Sequence, residues 1–192
     1  MTGKPKVDLE ERIQKAVRED IGLEPYNPDW PRQFELEATF LRQKLPGSLI
    51  QKIEHFGSTA VPGLIAKPII DLLVQVSSLE ETRRQIVPIL EAEGYEYFWR
   101  TDVSPAYAWC IKRNANGKRS HHIHMVEAES KLWDRLYFRD YLREFPEEAQ
   151  RYGQVKQTLA EKHPRDRIAY IKGKSAVVES LTEIAKHHYG VT

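Results

Sequence analysis

Residues 53–76 read IEHFGSTAVPGLIAKPIIDLLVQV, and Asp71 interrupts what is otherwise a continuous apolar strand. Ile69, Ile70, Leu72, Leu73, Val74 and Val76 surround it, the pattern of a strand covered on both faces. An ionised carboxylate there is costly unless a cation or hydrogen-bond donors compensate it. Upstream, Gly57-Ser58-Thr59 form a small-residue turn able to offer backbone N–H groups and hydroxyls to an anion. An anion cradle beside a buried carboxylate is what metal-assisted phosphoryl chemistry requires. The competing reading is a buried aspartate that holds a loop by hydrogen bonds. The Gly-Ser turn at this spacing favours a site.

Outward from this run, periodicity and punctuation set the other elements. Residues 8–20 pattern as a short amphipathic helix with Leu9, Ile13, Ala16 and Val17 on one face. Pro25, Pro28 and Pro31 then mark a connector, and Asp29 is expected to cap a helix over 30–44. Strands are expected at 49–56, at 69–76 as the central strand, and at 95–99. A helix from 79 to about 93 carries Pro88, which implies a kink or break. Residues 107–112 and 121–126 pattern as a hairpin around Asn114-Ala115-Asn116-Gly117. Three helices follow, over 131–145, over 147–162 after Pro146, and over 166–188 with an interruption expected at Gly173. The fold class is therefore α/β (α+β), a mixed sheet of about five strands with flanking helices and a helical C-terminal region. The domain division is an N-terminal helical extension over 1–24 and a single domain over 25–192.

The composition narrows function by exclusion. With Lys+Arg 29 against Asp+Glu 28, the net charge is +1, which disfavours a duplex-binding role but leaves room for a local basic pocket. A single cysteine, Cys110, allows no intramolecular disulfide or Cys-based zinc site, and its strand context marks a small buried hydrophobe. The N-terminus lacks a secretory apolar core and no run is long enough to span a bilayer, so a cytoplasmic location is expected and no membrane role.

The run over 53–76 resembles the GrpB family, whose members carry a near-identical IEHxGSTAVPGLxAKPIIDI stretch. The resemblance extends to Tyr26-Asn27-Pro28-Asp29-Trp30 with Phe34 and Glu37, to His122-Ile123-His124, and to Phe138-Arg139-Asp140-Tyr141-Leu142-Arg143 with Pro146, Tyr152 and Lys156. Tyr170 and Lys172 fit its tail. The family is assigned to the nucleotidyltransferase-like fold. The resemblance therefore implies a Gly-Ser turn for a triphosphate and a strand carboxylate for Mg²⁺, matched here by Gly57-Ser58 and Asp71. The second carboxylate of the usual Asp-x-Asp pair is absent, because Leu73 stands there, and the later strand offers His122 and His124 in place of an acidic residue.

The candidate site follows. Asp71 and Ser58 are the catalytic candidates, and Gly57, Ser58, Thr59, Lys67 and Arg139 the phosphate-binding ones. Asp71, His122 and His124 are the metal candidates. Residues two apart on a strand share a face, so His122 and His124 point together; such a pair chelates Zn²⁺, Mn²⁺ or Fe²⁺ or hydrogen-bonds a phosphate. Lys67 is either a phosphate ligand or a solvated loop lysine, and Arg139 with Arg143 either an anion clamp or a charged helix face. The expected cofactor is a divalent metal, Mg²⁺ or Mn²⁺ with Zn²⁺ as a further option. The expected partner is a nucleotide or phosphorylated small molecule, acted on by a nucleotidyltransferase-like enzyme or held by a catalytically degenerate relative.

Overall fold

The computed structural model describes residues 20–101 and 105–191; the helix expected over 8–20 lies outside the described residues apart from its last position. Five strands form one sheet: β1 (Ile50–Phe56), β2 (Ile70–Val76), β3 (Glu96–Arg100), β4 (Tyr107–Arg113) and β5 (Arg119–Val126). Their order is β1-β2-β5-β4-β3. All pairs are antiparallel except β2 with β5, which run parallel. The strand carrying Asp71 is thus internal but not the middle one, which is β5.

The two faces are built differently. Helix α1 (Trp30–Lys44) buries Trp30, Phe34, Ala38 and Leu41 against Ile70, Leu72, Val74, Ile123 and Met125. The expected cap at Asp29 takes another form. Asp29 is already helical in backbone, and its carboxylate accepts from Arg32 Nε (2.7 Å) and Gln33 Nε2 (3.0 Å) rather than from an amide. The same face receives α2 (Leu79–Glu81), a π turn over Thr82–Ile86 and α3 (Val87–Ala92). The break expected at Pro88 is this widened turn, since a helical proline lacks an N–H and crowds the carbonyl four residues back. Cys110 is fully buried here, and burial pushes its thiol up to about 12.

The opposite face carries the short cluster Phe56, Leu73, Tyr107 and Val126. Beyond it come a 3₁₀ turn (Lys131–Trp133), α4 (Asp134–Glu144), α5 (Pro146–Lys162) and α6 (Arg167–His188). Helix α6 runs through Gly173 without the expected interruption. A Cβ there would lie 2.5 Å from Leu159 Cδ2, so this glycine serves the close packing of α6 on α5. Val61 and Leu64, from the loop between β1 and β2, pack with Phe138, Leu142, Tyr152 and Val178. The loop that follows the Gly-Ser turn is thereby the seat of the helical half. No described helix is long and apolar enough to cross a membrane.

Candidate functional site

Asp71 pairs with His122 across the β2–β5 ladder and with Phe56 across β1. Leu73 and His124 are the next pair on that face, and Trp109 of β4 opposes His124. This parallel register brings together groups 51 residues apart: His122 Nδ1 lies 3.0 Å from Asp71 Oδ1. His124 Nε2 lies 3.8 Å from the same oxygen. The three side chains each offer one ligand atom within 4.8 Å of the others.

Hydrogen-bond logic divides their roles. An ionised carboxylate only accepts, so His122 Nδ1 carries the proton and donates to Asp71. Its Nε2 lone pair then faces Arg119 Nη1 at 3.4 Å. Burial, opposed only in part by Asp71, lowers His122 to about 3, which keeps the ring neutral at neutral pH. Burial would raise Asp71, but the interactions with His122 and then His124 outweigh it and hold the carboxyl well below the usual range. His124 differs: its Nδ1 lies 3.1 Å from the Tyr107 hydroxyl. Nε2 faces Asp71 as a donor in the protein alone; with a metal bound, donation from Nδ1 to the Tyr107 hydroxyl would leave the Nε2 lone pair for the metal. Asp71 with His124 therefore fits a divalent cation that keeps further oxygen ligands. His122, expected as a third ligand, belongs to the same group of ligand atoms, with its two ring nitrogens facing Asp71 and Arg119.

Gly57 meets Asp71 from the other side. Its φ is +74°, and a Cβ there would collide with Asp71 Oδ2, so only glycine fits the turn over the carboxylate. Ser58 lines the cavity beside it. Thr59 does so with less freedom than expected. Its buried hydroxyl donates to Ile69 O (3.3 Å) and lies 3.0 Å from His55 Nε2, leaving only its amide for an anion. His55 stacks on Phe34 at 4.8 Å, and burial lowers it to about 4.

Arg139, expected to bind phosphate, is not among the residues lining the cavity. It pairs with Glu54 at 2.9 Å and Asp140 at 2.7 Å and donates to His55 O at 2.7 Å. Two carboxylates satisfy its charge, and it fastens α4 to β1. Arg143 likewise donates to Ala60 O at 2.8 Å. Lys67 is brought to the cavity as expected, its ammonium 5.2 Å from the centre of the Tyr170 ring.

The cavity measures about 1090 Å³. Among the described residues, Asp71 and Glu91 are its lining carboxylates, against seven cations: Lys67, with Arg100 and Arg119 from the sheet and Arg135, Lys156, Arg167 and Lys174 from the helices. A chain of net charge +1 has thus concentrated positive potential in one hollow. Trp109 Nε1, Arg135 Nη1 and the Tyr170 hydroxyl are buried without a hydrogen-bond partner, and all three are cavity-lining residues that can donate. Sequence reasoning assigned no role to Lys156, Lys174 or Arg167. The available signal was Lys156, which shares with Ala149, Tyr152 and Gly153 the buried stripe of α5, where a lysine is out of place.

The mixed five-stranded sheet, the Gly-Ser turn over a strand carboxylate and the helical wall define an α/β domain with a single carboxylate, Asp71, on the site face of β2. The chain belongs to the GrpB family, whose model, described as GrpB protein, matches residues 20–183. It is 40% identical over 176 residues to a UPF0157 protein of Pseudomonas aeruginosa, covering 89% of this chain and 70% of that one. It is 36% identical over 162 residues to the UPF0157 protein YqkA of Bacillus subtilis, covering 84% of this chain but only 46% of YqkA. The crystal structure of conserved protein GrpB from Enterococcus faecalis superposes with a TM-score of 0.79 at 37% identity, covering 88% of this chain and 99% of that one.

Proposed function

We propose that the protein binds a nucleotide or another phosphorylated small molecule in this cavity together with a divalent cation, and acts as a nucleotidyltransferase-like enzyme. The observation that carries the reading is the meeting of Asp71, His122 and the Gly57 turn at a cavity that also gathers cationic side chains, with His124 beside Asp71 in the same ligand group. Asp71 and His124 would hold the metal, which when bound neutralises phosphoryl charge and polarises the P–O bond. Asp71 stays ionised at neutral pH, because hydrogen bonds from His122 and then His124 favour the charged form over the opposing effect of burial. His122 fixes the carboxylate's orientation. Held between Asp71 and Arg119, it has no free nitrogen with which to carry a proton. Ser58 and the Gly57–Thr59 amides would position the phosphate, and Lys67 would balance its charge.

A second reading, binding without turnover, is favoured by one position. Leu73, fully buried, occupies the site-facing place two residues after Asp71, where a second carboxylate would help hold a second metal. Calorimetry with nucleoside triphosphates and Mg²⁺ or Mn²⁺ tests both. Metal-dependent binding that is lost in Asp71→Asn supports the site, and pyrophosphate release separates enzyme from binder. Equal affinity of wild type and Asp71→Asn, with metal present, sinks the assignment.

A further inference from the structure

Among the described residues, the wall of the cavity opposite the sheet gathers Lys67 from the loop before β2, Lys156 from α5 and Lys174 from α6. Tyr170 stands among them, fully buried, with no hydrogen-bond partner for its hydroxyl. The Lys67 and Lys174 ammoniums lie 5.2 and 5.3 Å from the centre of its ring. Lys156 is 2% exposed, and the acceptor given for its three N–H groups is Ile65 O. Burial first, then Arg167 and Lys174, drive the Lys67 amine well below its ordinary range. Burial and then Lys174 bring Lys156 to about 7. Asp71 is the carboxylate that opposes these shifts most. Packing like charges this way is unfavourable until an anion joins them.

We infer that Lys67, Lys156, Lys174 and Tyr170 form an anion subsite for a condensed phosphate chain, and that this subsite binds without a metal. The inference deepens the reading of the cavity given above, by naming the ligand class and separating its phosphate wall from the Asp71 centre. A condensed chain fits better than a lone phosphate or a carboxylate. The donors come from a loop and two helices and flank the Tyr170 ring, and successive phosphoryl groups present charge and several acceptor oxygens to each of them. A nucleoside triphosphate tail and inorganic polyphosphate share this chemistry.

The test is calorimetry with inorganic triphosphate in EDTA, on the full chain. Wild type binds it at least a hundredfold more tightly than orthophosphate. Lys174→Met, on a half-buried side chain whose loss leaves the fold intact, weakens it tenfold or more; Lys156→Met, apolar and similar in shape, does the same. Tyr170→Phe weakens it about fivefold, while Asp71→Asn binds as well as wild type or better. Affinity falls as pH rises from 6 to 9, because Lys156, facing Lys174, Tyr152 and Asp71, must be protonated to receive the anion. ATP binding more tightly than inorganic triphosphate in EDTA identifies a nucleotide tail; tighter binding of a medium-length polyphosphate identifies the inorganic chain, and either supports the subsite. No binding of inorganic triphosphate in EDTA, or equal binding by wild type and both lysine variants, overturns it. If metal-dependent, Asp71-dependent nucleotide binding survives that outcome, this inference alone falls.

Discussion

On the α1 face of the sheet, the buried carboxylate of Glu37 accepts hydrogen bonds from the Tyr95 hydroxyl and from Lys112 Nζ. On the cavity face, Trp109 Nε1, Arg135 Nη1 and the Tyr170 hydroxyl are buried and meet nothing. The same strands supply both faces by alternation: Ile70 and Leu72 point to one, Asp71 and Leu73 to the other. Polar groups on the first face are matched within the fold and contribute stability. Three donors on the second lack acceptors, each a cost of about 1–3 kcal/mol. The contrast teaches that one face of the sheet is finished by folding, while the other keeps donors that the proposed anion would engage.

Breaking the finished face should have the largest effect. Glu37→Ala leaves the buried Tyr95 hydroxyl and the Lys112 ammonium without their shared acceptor. Urea denaturation should show a loss of about 3 kcal/mol, with nucleotide affinity of the remaining folded protein unchanged. An affinity loss would mean that the two faces are coupled.

Acid should expose the boundary between the faces. His55 titrates near 4 in the folded chain because burial opposes its charge, and near its ordinary 6.5 when unfolded. The unfolded chain therefore takes up the proton first. Stability is complete above pH 6.5 and falls as pH drops toward 4, by about 3 kcal/mol from this residue alone. His122 acts in the same sense, so His55→Phe should remove roughly half of the acid slope in a melting-temperature series. An unchanged slope would show that His55 is not a source of it.

Tyr170→Phe should move stability least and in the opposite direction. Deleting an unpartnered buried hydroxyl should leave the melting point unchanged or raise stability by up to about 1 kcal/mol. A clear loss would show that the hydroxyl is already satisfied within the fold.

How much of this was legible in the sequence follows from what each signal depends on. Asp71 stood out because a charge in an apolar strand is anomalous wherever the strand lies. Its convergence with His122 and His124 depends on the parallel pairing of β2 with β5, which no local pattern announces. For Thr59 and Arg139 the sequence leaves out the neighbours on which a side chain's availability depends. His55 and the Ile69 carbonyl occupy one, and Glu54 with Asp140 the other. The helical wall was hidden for a similar reason. Lys67, Lys156 and Lys174 are far apart in sequence, and only the packing of α5 and α6 onto the loop after Gly57 assembles them. Local breaks were read as positions, and their form was set by packing: Pro88 produced a π turn and Gly173 a tight helix contact.

The most direct test of the central claim is the location of a bound metal. A crystal soaked with Mn²⁺ and a non-hydrolysable nucleoside triphosphate should show an anomalous peak at coordination distance from Asp71 Oδ1 and His124 Nε2, about 2.0–2.2 Å from each. The phosphate chain should extend from it past Ser58 toward Lys67, with the His122 ring still hydrogen-bonded to Asp71. A manganese peak elsewhere, or a triphosphate bound away from Gly57 and Asp71, would contradict the account.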